Sequence, residues 1–414
     1  MSRPLKIILG LCSGIFLGLI CHPYPGPWLN AAIAYISQPL GQLFMRLIFM
    51  IVVPLVFSSL ILGIFELQDF KQLGRVGVKT LIYTVLASFA SVLVGLAFVS
   101  IFKPGEGLDS EMTKHLGALS EPVRSSQPAT FTAALVSLIP KNPIASAANA
   151  LEGDMLSLMI FTLIFGAALL LVRGDNKRDP LVACLETIRA VSMKIVDFAM
   201  SLAPLGVAAL MFTMTAQFGL GLIANLGKYT AVVIAALAFQ QFIVFGLILK
   251  LLARKSPWQF FSQIKEVMLT ALSTASSNAT LPTSIRVAEN NLKLNRNISS
   301  FVLTIGSAAN QNGTALFEGV TVLFLAQLYG IHLGLDEQLV VLFMSVVAGM
   351  GTAGVPGGSI PMMMIVLQTV GVPAEGIGLI LGVDRILDMC RTVLNVSGDL
   401  VCAQVIQASE SKNQ

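Results

Sequence analysis

The sequence predicts an all-α polytopic membrane protein, and three observations lead to that fold class. Of its 414 residues, 55% are hydrophobic and only 12% are charged, whereas an average soluble domain carries about 25% charged residues. The mean hydropathy is +0.81. Several apolar segments reach the ~20 residues that an α-helix needs to cross a ~30 Å hydrocarbon core. We expect about eight transmembrane helices and two re-entrant helical hairpins.

The apolar segments give the order of the expected spans. The first follows Arg3 and Lys6 and ends before His22 without a small-x-small cleavage site, so we interpret it as a transmembrane helix and not as a signal peptide. Pro140 and Pro143 interrupt the fourth segment, which should bend or split there. The segments lie near residues 5–21, 41–65, 76–102, 131–172, 190–222 and 229–253, and residues 256–405 are apolar with interruptions.

Basic residues orient the expected helices. Segment 22–40 contains neither Lys nor Arg, and the 103–130 loop mixes both signs of charge. The positive-inside rule therefore puts the N- and C-termini in the cytoplasm and the 103–130 loop outside. The basic clusters behind this orientation are Arg3/Lys6, Lys71/Arg75/Lys79, Arg173/Lys177/Arg178, Lys250/Arg254/Lys255 and Arg286/Lys293/Arg296.

Two apolar stretches are interrupted by serine, glycine and proline. The first runs from Leu272 to Pro282, and the second, residues 349–361, contains five glycines. Each lies in apolar sequence too short for two full spans and precedes a helix with polar residues. A repeated pair of broken segments predicts inverted repeats with re-entrant hairpins, of the kind found in secondary transporters. Irregular backbone at membrane depth must line a cavity or be buried in protein, and we expect segment 349–361 to be the gate.

The last apolar segment carries a row of polar side chains. A charge within a bilayer is costly and must face a partner, a cavity or a substrate. Arg391 suits an anionic group, Asp388 suits an ammonium group, and Asn395 with Asp399 suits a cation. We interpret Asp384, near Arg385, as a structural ion-pair partner. The row follows the spacing i, i+4, i+7, i+8, i+11, i+15 of one helix face: Asp384, Asp388, Arg391, Thr392, Asn395 and Asp399.

Other functional classes find less support in the residues. No Walker loop, dinucleotide fingerprint or nucleic-acid motif is present, so neither ATP-driven transport nor nucleic-acid binding is indicated. A passive channel would need polarity along a whole pore, whereas these polar residues concentrate at one depth. A serine hydrolase using Ser276 or Ser277 would need a base at membrane depth, where no histidine falls. The five cysteines lie at no metal-ligand spacing and favour neither a disulfide framework nor a metal site: Cys12, Cys21, Cys184, Cys390 and Cys402.

The motifs resemble those of the glutamate transporter family, the dicarboxylate/amino acid:cation symporters, over nearly the whole chain. They include Leu-Gly-Arg75-Val-Gly, the serine-rich first hairpin, Ala-Gly-Val-Pro-Gly in the second hairpin, and Asp388-Met-Cys-Arg-Thr-Val-Leu-Asn395. The resemblance implies a homotrimer with a rigid scaffold and a transport domain that moves like an elevator. Its domain division is scaffold helices 1 and 2 (1–75), transport helix 3 with the outer loop (76–130), scaffold helices 4 and 5 with transport helix 6 (131–253), the transport core (254–405) and a cytoplasmic tail (406–414).

The resemblance also implies substrate contacts. Arg391 resembles the residue that binds the side-chain carboxylate, because a guanidinium forms paired hydrogen bonds with it. Asp388 resembles the partner of the substrate ammonium, and its presence favours amino acids over C4-dicarboxylates. The α-carboxylate would contact Asn395 and the Ser276-Ser277 tip. The remaining contacts implied by the family are Thr314, Thr392, Val355, Gly357 and Ser359.

Cation coupling is where the sequence departs from the family. Sodium-coupled members have Asn-Met-Asp-Gly-Thr where this chain has Gln311 and Asn312, and the third helix has Ala87 in place of a hydroxyl residue beside Tyr83, Thr84 and Ser88. That site is therefore expected to be impaired. Glu318 aligns with the proton carrier of proton-cotransporting relatives, and burial favours the neutral form of a carboxyl group. A second cation site retains Gly306, Asn310, Asn395 and Asp399, and a third would use backbone around Ala308, Gly349 and Thr352.

These expectations combine into one predicted function. The chain is predicted to be a symporter of aspartate or glutamate in the inner (plasma) membrane, driven by a proton gradient, a sodium gradient or both. No cofactor is expected beyond co-transported sodium or protons, with sodium possible at Asn310, Asn395 and Asp399. The expected partners are the amino acid, membrane lipid and two further copies of the chain, but no nucleic acid. A C4-dicarboxylate symporter and a fully sodium-coupled aspartate transporter remain the alternatives, and the sequence leaves aspartate versus glutamate and the ion stoichiometry open.

Overall fold

The computed structural model describes residues 3–66, 75–107, 139–150, 155–173, 180–352 and 359–410. Those residues form helices, turns and connecting segments and include no β-strand, which confirms the all-α expectation. In chain order the α-helices are α1 (Arg3–Cys21), α2 (Pro27–Ala32), α3 (Gln38–Phe49), α4 (Val52–Glu66), α5 (Arg75–Phe102), α6 (Pro143–Ala148), α7 (Met155–Arg173), α8 (Pro180–Phe218), α9 (Leu220–Phe239), α10 (Phe245–Leu251), α11 (Pro257–Gln263), α12 (Lys265–Thr274), α13 (Ser277–Asn290), α14 (Arg296–Ala309), α15 (Asn312–Leu328), α16 (Leu335–Gly351), α17 (Ile360–Thr369) and α18 (Ile377–Glu410).

Most apolar segments coincide with helices, although their ends differ. Segment 41–65 is divided between α3 and α4, and α8 begins ten residues before its apolar segment because helix-forming polar residues extend it. A π-helical turn, Gln240–Val244, joins α9 to α10. By length and apolarity, two helices of the described chain can cross a membrane: Arg75–Phe102 and Ile223–Leu251, both with hydropathy 2.4.

The expected break in the fourth apolar segment is present. Pro143 begins α6, and the side chain of Asn142 caps it by accepting hydrogen bonds from the N–H groups of Ile144 and Ala145. Proline suits the first turn of a helix because its missing N–H would have no intrahelical partner there. The parts of this segment at 131–138 and 151–154 lie outside the described residues.

Close packing of α1 on α8 organises the first part of the chain. Gly10, Gly14 and Gly18 lie on one face of α1, and a Cβ atom at any of them would collide with α8, at Pro204, Ala208 and Thr215 respectively. Small residues at this spacing let two helix backbones approach closely, as in membrane helix pairs. Helices α3 and α4 also pack on α8, and α7 packs on α4.

A second group of helices forms around α15 and α18. Helix α15 is buried along its whole length except at Gln327, and α5, α16 and α18 pack against it. Helices α12 and α13 form an antiparallel hairpin, since Glu266 near the start of α12 pairs with Arg286 near the end of α13 at 2.6 Å. Helices α16 and α17 also pack on each other. The tip of the α12–α13 hairpin lies at the polar face of α18, and so do Thr352 and Ser359 at the described ends of the segment between α16 and α17.

Candidate functional site

The polar row predicted for the last apolar segment lies on the buried face of α18. All six of its residues, Asp384, Asp388, Arg391, Thr392, Asn395 and Asp399, are less than 9% exposed. The flanking apolar residues Leu387 and Leu394 are buried too, because α18 is enclosed by α9, α12, α14 and α15. The i, i+4 spacing therefore concentrates charge inside the protein, where each charged group needs a partner.

Arg391 is the central cation of the site. Its side chain is 1% exposed, and its Nη2 and Nε atoms lie 2.9 and 3.0 Å from Oδ1 of Asp388. Its Nη1 atom lies 3.1 Å from Oδ1 of Asp384. The guanidinium also stacks over the ring of Phe317 on α15, 4.2 Å from the ring centre, an arrangement that favours a cation. Arg391 is thus held between Asp384 and Asp388 on one face of α18.

Asp388 is shared between two arginines. Its Oδ1 atom faces Arg391, while its Oδ2 atom lies 3.6 Å from Nη1 of Arg385. Together with Asp384, these residues form two acids and two bases on successive turns of one helix. The set of four side chains has a formal net charge of zero, so its burial is less costly than that of an unpaired charge.

The tip of the first hairpin lies beside this cluster. Helix α12 ends at Ala275, which adopts a left-handed conformation (φ 48°). Ser276 follows as the N-cap of α13 and accepts a hydrogen bond from the N–H of Ala279 at 3.2 Å. Ser277, the first residue of α13, is 2% exposed. The start of a helix presents backbone N–H groups that favour carboxylates.

Asn395 connects α18 to the start of α15. Its Oδ1 atom accepts a hydrogen bond from the N–H of Gly313 at 2.6 Å, and its Nδ2 group donates to the Oε1 atom of Gln311 and to the hydroxyl of Thr314. A Cβ atom at Gly313 would collide with the backbone oxygen of Arg391. The two helices therefore approach closely where the predicted substrate residues meet.

A small polar cavity lies between these elements. It brings together residues from the first hairpin, α15, the second hairpin and α18, which the sequence places far apart. Most of the residues implied to bind substrate line it; Ser276 lies next to it as a helix cap. The lining residues are Ala275, Ser277, Gln311, Thr314, Thr352, Ser359, Asp388, Arg391, Thr392 and Asn395.

The second hairpin is described only in part. Ser359, just before α17, is 2% exposed, and its hydroxyl has no hydrogen-bond partner among the described residues. Thr352 lines the same cavity and donates its hydroxyl to the carbonyl of Ala348. Gly349 packs on the first turn of α15, where an added Cβ would lie 3.0 Å from that of Ala315. Val355 and Gly357, and with them most of the expected gate, lie outside the described residues.

Oxygen atoms suited to a cation gather one turn further along α18. Asp399 is 3% exposed, and its Oδ1 atom accepts a hydrogen bond from Nδ2 of Asn310 at 2.8 Å. The Oδ1 atom of Asn310 is buried without a partner among the described residues. Gly306 packs directly on the Asp399 carboxylate. A carboxylate with an unpaired amide oxygen is a donor set that hard cations prefer, so Asp399, Asn310 and Gly306 fit a sodium ion. The side-chain amide of Asn395 instead forms hydrogen bonds with Gln311 and Gly313. Ala308 lies one residue before the end of α14.

The two stretches in which the sequence departs from the sodium-coupled motif meet at Ser88 and Asn312. The hydroxyl of Ser88 on α5 donates to Oδ1 of Asn312 at 2.8 Å, so this amide oxygen has a neutral partner. Nδ2 of Asn312 and the hydroxyl of Tyr83 are buried without hydrogen-bond partners among the described residues. Thr84 and Ala87 are buried on the same helix. Asn312 thus brings a neutral amide and no carboxylate to this region.

Glu318 is fully buried on α15, one residue after the Phe317 ring that stacks on Arg391. Neither of its carboxylate oxygens has a hydrogen-bond partner among the described residues. Burial of a charged group without a partner is costly. Thr314, which lines the cavity, lies one turn before Glu318 on the same helix.

Three residues of the site make contacts that the sequence did not indicate. Gln311 lines the cavity and holds Asn395, whereas the sequence presented it only as a departure from a motif. Phe317 stacks on Arg391, but one phenylalanine among 24 in an apolar chain carries no signal of its own. Asp384 has the structural pairing role predicted for it, but its partner is Arg391 and not Arg385, because residues seven apart share a helix face and consecutive residues do not.

Comparison with known proteins agrees with this geometry. The profile of the Sodium:dicarboxylate symporter family matches residues 4–409. The chain is 36% identical to the proton/sodium-glutamate symport protein of Bacillus subtilis, across 98% of this chain and 94% of that protein. It is 35% identical to the proton/glutamate-aspartate symporter of Escherichia coli, across 98% and 92%, and 30% identical to excitatory amino acid transporter 3 of Bos taurus, across 99% and 85%. The chain therefore belongs to the sodium:dicarboxylate symporter family, whose members are membrane transporters and not enzymes.

Proposed function

We propose that this protein is a secondary symporter of acidic amino acids, aspartate or glutamate. The observation that carries the proposal is the buried Arg391, held between Asp384 and Asp388 at the wall of a polar cavity. A substrate carboxylate can take the place of Asp388 at the guanidinium, and Asp388 can then accept the substrate ammonium. A zwitterion with a second carboxylate satisfies both charges at once. Relatives that match this chain along nearly its whole length bear the names of glutamate and glutamate-aspartate symporters.

The site residues take the following roles in this proposal. Asn395, Ser277 and the N–H groups at the start of α13 bind the α-carboxylate. Thr314, Thr392 and Ser359 complete the cage, together with Val355 and Gly357 of the second hairpin. Asp399, Asn310 and Gly306 hold a sodium ion when one is transported, with Asn395 and the backbone near Ala308, Gly349 and Thr352 nearby. Glu318 carries a proton.

In this proposal, the two groups of helices move relative to each other and open the substrate site to one side of the membrane at a time. The packing of α1, α3, α4 and α7 around α8 supports a scaffold built from residues 1–75 and much of 131–253. The packing of α5, α9 and the two hairpins around α15 and α18 supports a transport domain built from 76–130, the helix at 220–251 and the core 254–405, with 406–414 as a tail. We propose about eight spans, re-entrant hairpins, elevator movement, a homotrimer, and the inner membrane with both termini in the cytoplasm.

The experiment is uptake of radiolabelled aspartate, glutamate and succinate into proteoliposomes, with sodium and pH gradients imposed separately. Gradient-dependent accumulation of the amino acids, abolished by collapse of the gradient, is the expected result. Accumulation of succinate with no uptake of either amino acid would instead favour the C4-dicarboxylate symporter. A steep dependence on sodium alone would favour the fully sodium-coupled aspartate transporter. Equilibration without accumulation would contradict symport.

A further inference from the structure

A cluster of cations lies where the helix of residues 223–251 ends. Lys250, Arg254 and Lys255 are exposed, and none has an ion-pair partner among the described residues. By contrast, Arg75 and Lys79 contact Glu410, and Arg286 contacts Glu266. Three neighbouring cations without a protein carboxylate are therefore available to an anion from outside the chain.

The backbone holds this cluster in a fixed turn. Arg254 has φ 54°, a left-handed conformation that residues other than glycine rarely adopt. The N–H of Lys255 donates to the carbonyl of Leu249 at 3.1 Å, which closes the end of α10. Arg254 thus occupies the position at which helices most often have glycine, and both Arg254 and Lys255 are exposed.

An exposed tryptophan follows the cations. Trp258, in the first turn of α11, is 86% exposed. The helix itself is firmly attached, because Phe260 is 2% exposed and the ring of Phe261 meets that of Phe242 edge-on at 5.3 Å. The large apolar ring of Trp258 is therefore exposed on a well-packed helix, three residues after Lys255 in the sequence.

The depth of this segment matches a lipid headgroup layer. The helix Ile223–Leu251 has 29 residues, or about 43 Å at 1.5 Å per residue, close to the ~40–45 Å thickness of a bilayer with its headgroups. The residues that follow Leu251 then lie at the membrane surface. Tryptophan is enriched at that depth because its ring is apolar and its N–H is polar, and basic clusters there attract anionic lipids.

We propose that Lys250, Arg254, Lys255 and Trp258 form a binding surface for anionic phospholipid headgroups. The cations contact lipid phosphates, and the indole inserts among the glycerol and acyl groups beside them. The bound lipid would anchor the joint between α10 and the first hairpin. This inference needs only a membrane-embedded protein and does not depend on which substrate is transported.

The chain offers an internal control for the test. Its two tryptophans are Trp28 and Trp258, and Trp28 is 55% exposed within segment 22–40, which has no Lys or Arg. The variant Trp28→Phe therefore keeps only Trp258, next to the basic cluster. The variant Trp258→Phe keeps only Trp28, in a segment without basic residues. Each is reconstituted in bilayers that contain brominated phosphatidylglycerol or brominated phosphatidylcholine at equal mole fraction, and quenching is compared.

The expected result is stronger quenching of Trp258 by brominated phosphatidylglycerol, with no preference at Trp28. Arg254→Gln with Lys255→Gln should reduce that preference by about fivefold for each cation removed, as should raised salt. Lys103→Gln with Lys141→Gln, which removes the same charge elsewhere, should leave it unchanged. Equal quenching of Trp258 by both lipids, or a preference that survives loss of both cations in a variant with an unchanged circular dichroism spectrum, would overturn the proposal. Quenching that depends on protein concentration and not on lipid charge would point to a second copy of the chain and overturn it too.

Discussion

Asp384 and Arg391 lie two helical turns apart on α18, with Oδ1 and Nη1 separated by 3.1 Å. This contact is independent of the one between Arg391 and Asp388. A substrate carboxylate can therefore displace Asp388 without leaving the buried guanidinium unpaired. Because loss of the only partner of a buried charge costs about 3–5 kcal/mol, Asp384 makes the exchange at Arg391 energetically feasible and releases Asp388 for the substrate ammonium.

Replacing Arg391 by Cys should abolish binding of aspartate and glutamate. The substitution removes the charge-assisted hydrogen bonds to the substrate carboxylate, and each hydrogen bond to a charged group is worth about 1.5–3 kcal/mol. We expect an affinity loss of at least about 100-fold, measured by isothermal titration in detergent. Neutral amino acids should be tolerated better than in the wild type, and aspartate affinity that is undiminished in a folded variant would contradict the role of Arg391.

Arg385→Gln should increase the preference for amino acids over C4-dicarboxylates. Arg385 lies 3.6 Å from the Oδ2 atom of Asp388 and is only partly exposed, so it competes with a substrate ammonium for that carboxylate. For a partly solvated pair the gain should be about 1 kcal/mol, or about fivefold in the ratio of aspartate to succinate affinity. The ratio is measured by competition binding.

The matched comparison is Asp388→Ser. It should lower aspartate affinity much more than succinate affinity, because only the amino acid loses an ammonium partner. A ratio that is unchanged in Arg385→Gln, or equal losses for both substrates in Asp388→Ser, would show that Asp388 does not read the ammonium.

The face of α18 could be predicted because a helical period of polar residues within apolar sequence has few explanations. The position of the hairpin tip at Ser276–Ser277 was readable for a similar reason, since serine and proline interrupt an apolar run. The stacking of Phe317 on Arg391 was not readable, because it depends on how α15 packs on α18. Long-range packing of this kind leaves no local pattern in a single sequence. For the same reason, the sequence did not indicate that the amide of Asn395 would bond to Gln311 and not to Asp399.

Gly306→Ala should weaken the candidate cation site. An added Cβ would collide with the Asp399 carboxylate and lie 2.7 Å from its Cγ atom, which would displace the carboxylate from Asn310. Overpacking of this kind costs about 1–3 kcal/mol. We expect a lower thermal unfolding temperature and a loss of any sodium effect on substrate binding.

Gly227→Ala is the control for this substitution. Gly227 lies in α9 with no atom within 4 Å of the added Cβ, so its variant should bind sodium and substrate as the wild type does and should be equally stable or slightly more so. Similar losses in both variants would indicate a general effect of alanine in these helices and not a local one at Asp399.

Glu410→Gln should destabilise the contact between the ends of α5 and α18 in a pH-dependent way. Hydrogen bonds from Arg75 and then Lys79 lower the pKa of Glu410 below its ordinary value. A depressed pKa in the folded state contributes stability above the unfolded pKa, about 4.3 for Glu, and that contribution is lost as the pH falls through the folded value. The difference in unfolding temperature between wild type and variant should be small, present at pH 6 and absent at pH 3. A difference in unfolding temperature that grows as the pH falls would contradict a stabilising role of the Glu410 carboxylate.

Coupling to ions provides the last prediction, and it rests on Asn312 and Glu318. The amide of Asn312 bonds with Ser88 and supplies no charge for a cation, while Glu318 is a buried carboxyl group without a hydrogen-bond partner in the described chain. We therefore expect substrate binding to respond weakly to sodium at fixed pH and clearly to pH without sodium. Glu318→Gln should flatten the pH response, whereas Asn312→Asp should steepen the sodium response because it adds a carboxylate beside Ser88 and Tyr83. The measurement is a substrate-binding titration with sodium and then with pH. A steep sodium dependence of the wild type, of the kind that several coupled ions produce, together with a flat pH response, would show that Asn312 does not weaken sodium coupling.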